Sequence, residues 1–149
     1  YDFIILDSSP NYEELKPVIA AADKIFLVTS PDNITLMTTL KAAKLAREQQ
    51  TPIEGMIVNR IRSPKHEYDT REIEAISEIP VVAKIKDHKK MAQSLSQKTP
   101  ITILDPANQV SREIESFATA LCGLPEKQGF IQRLLPFKDI ITHSALANF

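Results

Sequence analysis

Short apolar runs alternate along most of the chain with longer segments in which apolar side chains recur at helical spacing. A short run rich in β-branched residues is typical of a strand buried on both faces of a sheet. Such runs predict strands at 1–6, 24–29, 53–58 and 81–85. The remaining periodic segments predict helices at 11–22, 33–50, 70–78, 87–97 and 106–122. This alternation indicates an α/β fold, a parallel sheet with helices on both faces.

Polar residues mark the expected ends of these helices. Asn33 and Asp87 are the expected N-caps of the second and fourth helices. Asp105-Pro106 has the form of an N-cap followed by proline at the first helical position, and Gly123 is expected to end the last helix. The second helix is expected to bury one face, made by Ile34, Met37, Leu40, Ala43 and Leu45.

The predicted strands end on polar residues: Asp7, Thr29-Ser30-Pro31, Asn59-Arg60 and Asp87. Because parallel strands all end at one edge of their sheet, these side chains are expected along one rim, where open α/β sheets bind ligands. A carboxylate there suits Mg²⁺ with a phosphate behind it, and an amide offers a donor and an acceptor to an adenine edge. Each residue also has a structural interpretation, as a helix cap, a turn former or a solvated cation. Together they favour nucleotide binding.

Composition narrows the class of protein. The 149 residues suffice for one domain with a core, and the apolar content of 43% is that of a soluble globular protein. A net charge of −1 gives no general basic field for nucleic acid. The single cysteine, Cys122, excludes an internal disulfide, fits a reducing compartment and is expected to be buried. Apolar runs are too short to span a bilayer.

The strand-end residues resemble motifs of the MinD/ParA ATPases, the deviant Walker branch of the P-loop NTPases. Residues 1–7, Tyr-Asp-Phe-Ile-Ile-Leu-Asp, resemble the Walker B strand of that family, and Val58-Asn59-Arg60 resembles its adenine-reading segment. Ile85-Lys86-Asp87 lies where the family has Pro-x-Asp, and residues 94–101 are similar to the helix and Pro-Ile step that follow. The likeness covers about residues 1–123.

The resemblance implies a P-loop NTPase fold, Rossmann-like and truncated at its N-terminus, in an ATPase that uses ATP and Mg²⁺. It places Asp7 in the position of the acid that orients the water shell of Mg²⁺, as catalytic and metal-site residue. Asn59 is the implied base contact, and Arg60 and Asp87 are further cofactor-binding residues. The family also implies a homodimer that forms with ATP, and a partner regulatory protein.

The sequence departs from the family pattern in three ways. Ser9 intervenes before Pro10 where the family often has Asp-x-Pro, and Ile85 replaces the usual proline. More important, the 149 residues contain no Gly-x-x-x-x-Gly-Lys loop, whose glycines and lysine hold the phosphates. We therefore expect a chain that is the C-terminal part of an ATPase. Alone, it is expected neither to bind ATP tightly nor to hydrolyse it.

The expected organisation is the ATPase part at 1–123, a linker at 124–126 and an amphipathic tail at 127–149. Within the tail, residues 127–141 set apolar side chains near helical spacing among a few cations. A helix of this kind lies in a membrane interface or packs against protein. Residues 129–135 are similar to the membrane-targeting helix at the C-terminus of MinD proteins, which implies a cytoplasmic protein that is peripheral at the inner face of the membrane.

The sequence leaves three functions open. The first is a MinD-like positioning ATPase for cell division or polar placement, which dimerises with ATP and associates reversibly with the membrane. The second is a ParA-type ATPase for plasmid or chromosome partition, for which a basic surface is expected. The third is a non-catalytic flavodoxin-like binding module, in which Asp7 is an acceptor or a cap.

Overall fold

The computed structural model of the chain describes residues 1–9, 11–62 and 65–124. The chain divides into two compact units, Tyr1–Lys84 and Ile85–Phe149. The amphipathic tail predicted at 127–149 lies outside the described residues.

A three-stranded sheet forms the framework. Its strands are β1 (Ile25–Thr29), β2 (Ile53–Ile61) and β3 (Val81–Lys86), and β2 lies between the other two. β1 and β2 are parallel, with Thr29 paired in register with Val58. The predicted parallel α/β fold is confirmed, and the sheet is open.

Six helices occur in the described part of the chain. They are α1 (Tyr12–Ala21), α2 (Asn33–Glu48), α3 (Thr70–Ser77), α4 (Lys89–Ser96), α5 (Ile101–Leu104) and α6 (Gln109–Leu121). α2 packs on β1 and β2, and α1 packs on α2. Strand–helix–strand crossovers of this kind are what a parallel sheet requires.

The core of the first unit lies between the sheet and its helices. Its buried members are Leu27, Leu36, Ala43, Met56, Val58, Ile73 and Ile79. A second buried cluster, Ile19, Leu45 and Ala46, joins α1 to α2. The sheet and α2 therefore pack against each other, and α1 packs against both α2 and the first residues of β1 and β2, Ile25 and Ile53.

The opening segment departs from its prediction. Residues 1–9 form neither strand nor helix, and Ile4 and Ile5 are 78% and 85% exposed. The prediction of a strand buried on both faces is therefore wrong. An apolar run becomes a strand only when neighbouring backbones satisfy its N–H and C=O groups. Within the described residues the sheet order is β1-β2-β3, so the opening run has no such neighbour there.

Three predicted N-caps are displaced along the chain. Asp32 caps α2 instead of Asn33, and its Oδ1 accepts a hydrogen bond from the Thr35 N–H at 2.9 Å. His88 caps α4 instead of Asp87. Asn108 caps α6 instead of Asp105. In each case the cap is the residue whose backbone is extended and whose side chain reaches a free N–H of the first turn.

The buried face of α2 also differs from the predicted stripe. Ile34 is 81% exposed and Met37 is 42% exposed, whereas Leu36 is fully buried. Ala43 and Leu45 are buried as predicted. The helix begins so that Leu36, rather than its neighbours, faces β1 and β2, which leaves two large apolar side chains in solvent.

The second unit contains a polar junction near Asp105. Lys90 forms an ion pair with Asp105, and this contact is the main cause that lowers the pKa of the Asp105 carboxyl below its usual value. The buried Ser111 hydroxyl donates to the carbonyl oxygens of Ile101 and Asp105, at 3.0 and 2.6 Å. Asp105 thus connects α4 to the turn between α5 and α6 instead of capping a helix.

At the end of α6 the predicted role of Gly123 is correct, whereas the predicted burial of Cys122 is not. Gly123 follows the helix with φ +64°, the left-handed conformation that favours glycine there, so its expected role is confirmed. Cys122 is exposed, which contradicts the expectation of a buried thiol.

Candidate functional site

The carboxyl ends of β1 and β2 lie side by side. Because Thr29 pairs with Val58, the residues that follow each of them, Ser30 and Asn59, leave the paired segment at the same edge. The structure therefore brings together two of the predicted strand ends, Thr29-Ser30-Pro31 and Asn59-Arg60, as a parallel sheet requires.

The backbone changes direction at Asn59 and Arg60, near the end of β2. The Arg60 backbone is left-handed, with φ +58°, although the residue lies within β2. Its N–H donates to the Asn59 Oδ1 at 2.8 Å. This conformation costs a residue with a Cβ about 1–2 kcal/mol, and Gln50, Glu78 and Lys98, which lie outside the cleft, adopt it as well. Among the described residues, the Arg60 guanidinium makes neither a hydrogen bond nor an ion pair.

Asp32 is the N-cap of α2 and follows the end of β1. The Thr35 N–H donates to its carboxylate and is the main cause that lowers the Asp32 pKa, so the group is ionised at neutral pH. Hydrogen bonds from the Thr35 side chain and the Ile34 N–H lower the Asp32 pKa further.

Arg60 and Asp32 line a cleft of about 340 Å³. Its lining residues are Ser30, Pro31, Asp32, Thr35, Arg60, Arg62 and Glu67. The volume lies at the lower end of the range of about 300–1,000 Å³ that small-molecule sites occupy. Both acids and arginines line it, so the cleft suits a polar ligand that both donates and accepts hydrogen bonds.

A loop at residues 65–68 forms one wall of this region. The Tyr68 N–H donates to the Pro31 carbonyl at 2.9 Å, and the Arg62 N–H donates to the Glu67 carboxylate at 2.9 Å. A neighbouring cleft of about 350 Å³ is lined by Asn33, Lys65, His66 and Tyr68 with the turn after β1. The loop thus ties the turn after β1 to the end of β2.

The other two predicted site residues lie elsewhere. Asp7 is exposed within the irregular opening segment, and Asp87 follows the end of β3 in the second unit. Among the described residues, no group of three or more His, Cys, Asp or Glu side chains is placed to hold a metal ion. The roles of Asp7 and Asp87 stay predictions.

Asp32 and Glu67 are the cleft residues that sequence reasoning missed. Pro31-Asp32 directly follows the predicted strand end, so Asp32 could have been included in the rim. Glu67 gave no such signal, because only the folded position of the 65–68 loop brings it to the cleft.

A membrane-crossing segment is absent from the described part of the chain: none of its helices combines the necessary length and apolar character.

Comparisons with known proteins identify the fold. No protein-family model matches the chain. An uncharacterised ATP-binding protein of Methanocaldococcus jannaschii is 21% identical over 126 residues, which are 84% of this chain and 48% of that protein.

Solved structures give the same result. MinD of Aquifex aeolicus has a TM-score of 0.66 at 21% identity, covering 74% of this chain and 48% of that one. MinD of Pyrococcus horikoshii, complexed with Mg-ADP, has a TM-score of 0.63 at 17% identity, covering 78% and 44%. A ParA family ATPase of Chlorobium tepidum has a TM-score of 0.60 at 25% identity, covering 70% and 43%. The chain spans about half the length of the proteins it matches. The expected resemblance is confirmed in the fold.

Proposed function

We propose that this chain, which has the fold of the MinD and ParA ATPases, is part of a MinD-like ATP-dependent positioning protein. The observation that carries the proposal is the β1–β2 edge. Thr29 and Val58 are in register there, which sets Asn59 and Arg60 beside a cleft at the carboxyl ends of parallel strands, where this fold class binds nucleotides.

The proposed site extends beyond the cleft. Asn59, Arg60 and Asp87 are proposed to contact the base and ribose of ATP, and Asp7 to orient the water shell of Mg²⁺ as the catalytic acid. Mg²⁺ is commonly held by one or two carboxylates and the substrate phosphates, so Asp7 has this role only once a phosphate-binding loop is present. Phosphoryl transfer to water then depends on positioning and electrostatic stabilisation.

The proposed partners follow from the MinD-like assignment. ATP is proposed to bring two copies together, and hydrolysis to separate them. A regulatory protein is a further proposed partner, and one solved relative supports this: the MinC:MinD complex of Aquifex aeolicus, which matches at a TM-score of 0.63 and 23% identity, covering 72% of this chain and 46% of that one.

Reversible membrane association is proposed for residues 127–141. The support is the sequence of this segment, which sets apolar side chains near helical spacing with Lys127, Arg133 and Lys138 among them. Flotation of the protein with anionic vesicles, compared with neutral vesicles, tests the proposal. Binding that is lost when residues 127–149 are deleted is expected, and no binding with or without ATP would remove the membrane role.

The ATPase role has a direct test. The coding region upstream of Tyr1 should encode a strand followed by a glycine-rich loop of the form Lys-Gly-Gly-x-Gly-Lys-Thr. The longer protein should hydrolyse ATP with magnesium, and D7N should abolish turnover while the 149-residue chain shows none. An upstream region without this loop, or full turnover by D7N, would contradict the proposal.

A ParA-type role is the second candidate, supported by the Chlorobium tepidum structure. The net charge of −1 disfavours it, because non-specific DNA binding depends on neutralising phosphates with Lys and Arg. Binding of the longer protein to random duplex DNA, with an affinity that falls steeply as salt rises, would favour the ParA-type role over the MinD-like one.

A further inference from the structure

The turn between β3 and α4 is held at both of its ends by side-chain hydrogen bonds. At its start, the Lys86 N–H donates to the Glu113 Oε2 at 3.0 Å, and the Gln109 Nε2 donates to the Glu113 Oε1 at 2.9 Å. At its end, the His88 backbone is extended, and the Lys90 N–H donates to the His88 Nδ1 at 3.2 Å, which makes His88 the N-cap of α4. All of these groups belong to the second unit.

The cap of α4 requires one protonation state of the His88 ring. A ring nitrogen accepts a hydrogen bond only when it carries no proton, so Nδ1 is bare and Nε2 carries the proton of the neutral ring. Asn108 makes the same requirement. Its Oδ1 accepts the Val110 N–H at 2.9 Å, so the group that lies 3.5 Å from the His88 Nδ1 is the amide nitrogen of Asn108, a donor. The His88 Nδ1 thus faces two donors.

Histidine differs from the other side chains that cap helices in this chain. The caps of α1, α2, α3 and α6 are Asn or Asp side chains, which are the common acceptors at this position. Histidine is the side chain whose ordinary charge change falls between about pH 5 and 8. A second proton on the His88 ring goes to Nδ1, because Nε2 already has one. The Lys90 N–H then faces another donor, and the hydrogen bond that caps α4 is lost.

The charges around the His88 ring oppose one another. On α4, Lys89 and Lys90 repel an added proton, as does the positive end of the helix. In the turn between α5 and α6, the Asp105 carboxylate attracts that proton, and so does Asp87, the preceding residue. The ion pair between Lys90 and Asp105 offsets much of the attraction by Asp105. The loss of the hydrogen bond therefore decides what protonation does to the cap.

We propose that His88 makes the turn between β3 and α4 respond to pH: the neutral ring closes the first turn of α4, and the protonated ring opens it. The contact between Lys86 and Glu113 involves no histidine, so the β3 end of the turn stays fixed while the α4 end is released. Asp87 lies between these two ends, so its position depends on pH. The device does not rest on the proposed ATPase function, because all its contacts lie within the second unit.

Amide hydrogen exchange of the 149-residue chain tests the proposal, followed by NMR at about pH 7.5 and at about pH 5, on either side of the histidine range. Protection factors remove the direct effect of pH on exchange. The factor of the Lys90 amide is expected to fall about fivefold at the lower pH, which is the effect of losing one N-cap. The factor of the Lys86 amide should stay within about twofold, because its contact with Glu113 remains. Equal protection of the Lys90 amide at both pH values would overturn the proposal.

The ring nitrogens give a second measurement. At the higher pH, their ¹⁵N signals should show a bare Nδ1 and a protonated Nε2 in His88, since only this tautomer accepts the Lys90 N–H. The opposite tautomer would overturn the proposal, because its Nδ1 could not cap α4. This measurement needs no variant, so it is independent of how well any substituted chain folds.

Variants show whether His88 is the responsive group. H88N supplies an amide oxygen that caps a helix without gaining a proton, so the Lys90 amide should be equally protected at both pH values. H88A has no acceptor and should show the lower protection at both. The matched control is H66N, which removes an exposed histidine of the first unit and should retain the fivefold change. A fivefold change that persists in H88N, or that disappears in H66N, would overturn the role of His88.

E113A separates the two ends of the turn. It removes the acceptor of the Lys86 N–H, so the Lys86 amide should lose protection, while the Lys90 amide keeps its change with pH. Loss of that change in E113A would mean that the turn opens as a whole, and would overturn the release of the α4 end alone. Every outcome leaves the ATPase proposal standing, since the upstream loop and magnesium-dependent turnover decide that question separately.

Discussion

Gly55 lies against Val82 so closely that the two residues leave no room for a side chain on β2 at this point. A Cβ built on Gly55 would be 2.4 Å from the Val82 Cγ1 and 3.1 Å from the Pro80 carbonyl oxygen. The Met56 N–H donates to the same carbonyl at 2.8 Å, so the backbone there is fixed. Gly55 is thus a packing requirement between β2 and β3.

G55A is expected to destabilise the chain by about 1–3 kcal/mol, because the added methyl group overpacks a buried position. Chemical denaturation of the wild type and G55A measures the loss. V82A in the G55A background should recover part of it, since the nearest clash is removed. The control is G123A, which meets no atom within 4 Å and should cost only about 1 kcal/mol for its positive φ. A smaller loss for G55A than for G123A would contradict the close contact.

The cap of α2 should make stability depend on pH. The Asp32 pKa is lowered in the folded chain by the Thr35 N–H, so the hydrogen bond contributes stability above the ordinary aspartate value of 3.8 and loses it as the pH falls through the folded-state value. D32N keeps the capping oxygen without the titration. Unfolding measured between neutral and acidic pH should show a shallower acid decline for D32N, and an identical decline would exclude the effect.

The first turn of α3 has a reciprocal cap. The Glu72 N–H donates to the Asp69 carboxylate at 2.8 Å, and the Asp69 N–H donates to the Glu72 carboxylate at 2.7 Å. D69A should therefore cost about 1 kcal/mol of unfolding free energy. R71A, in the same turn and exposed, should change stability by less than about 0.5 kcal/mol. A double-mutant cycle of D69A with E72A should show coupling, and strict additivity would argue against the paired arrangement.

Two truncations test which face of α2 is buried. L36A should cost about 2–5 kcal/mol, because Leu36 is fully buried between α2 and the sheet. I34A should cost less than about 0.5 kcal/mol, since Ile34 is in solvent. Equilibrium denaturation gives both values. A larger loss for I34A than for L36A would mean that the face predicted from the sequence is the buried one.

The elements of the fold were predictable because each depends on a local pattern. The strands at 25–29, 53–61 and 81–86 and the long helix after β1 all follow runs or periodicities that burial alone explains. Cap positions were less certain because Asp32 and Asn33 are adjacent and both can cap, so backbone conformation decides between them. The opening run was predicted wrongly because a strand depends on its neighbours as well as on its own residues.

The site was predictable only in part. Asn59 and Arg60 could be placed at the edge beside Ser30 because parallel strands end together. The left-handed backbone of Arg60 and its contact with Asn59 could not be predicted, because a left-handed arginine contradicts local preference. Glu67 reaches the cleft only through the folded 65–68 loop, which the linear sequence does not position.

The exposed thiol of Cys122 gives the chain a natural attachment point. It is the single cysteine of the sequence and lies just after α6, so a thiol-reactive dye attaches at one defined place without any mutation. Such a dye reports on the unit that begins at Ile85, whereas L36A and D69A perturb the other unit. Fluorescence from the dye, compared with circular dichroism of the whole chain, therefore measures whether the two units unfold together or separately.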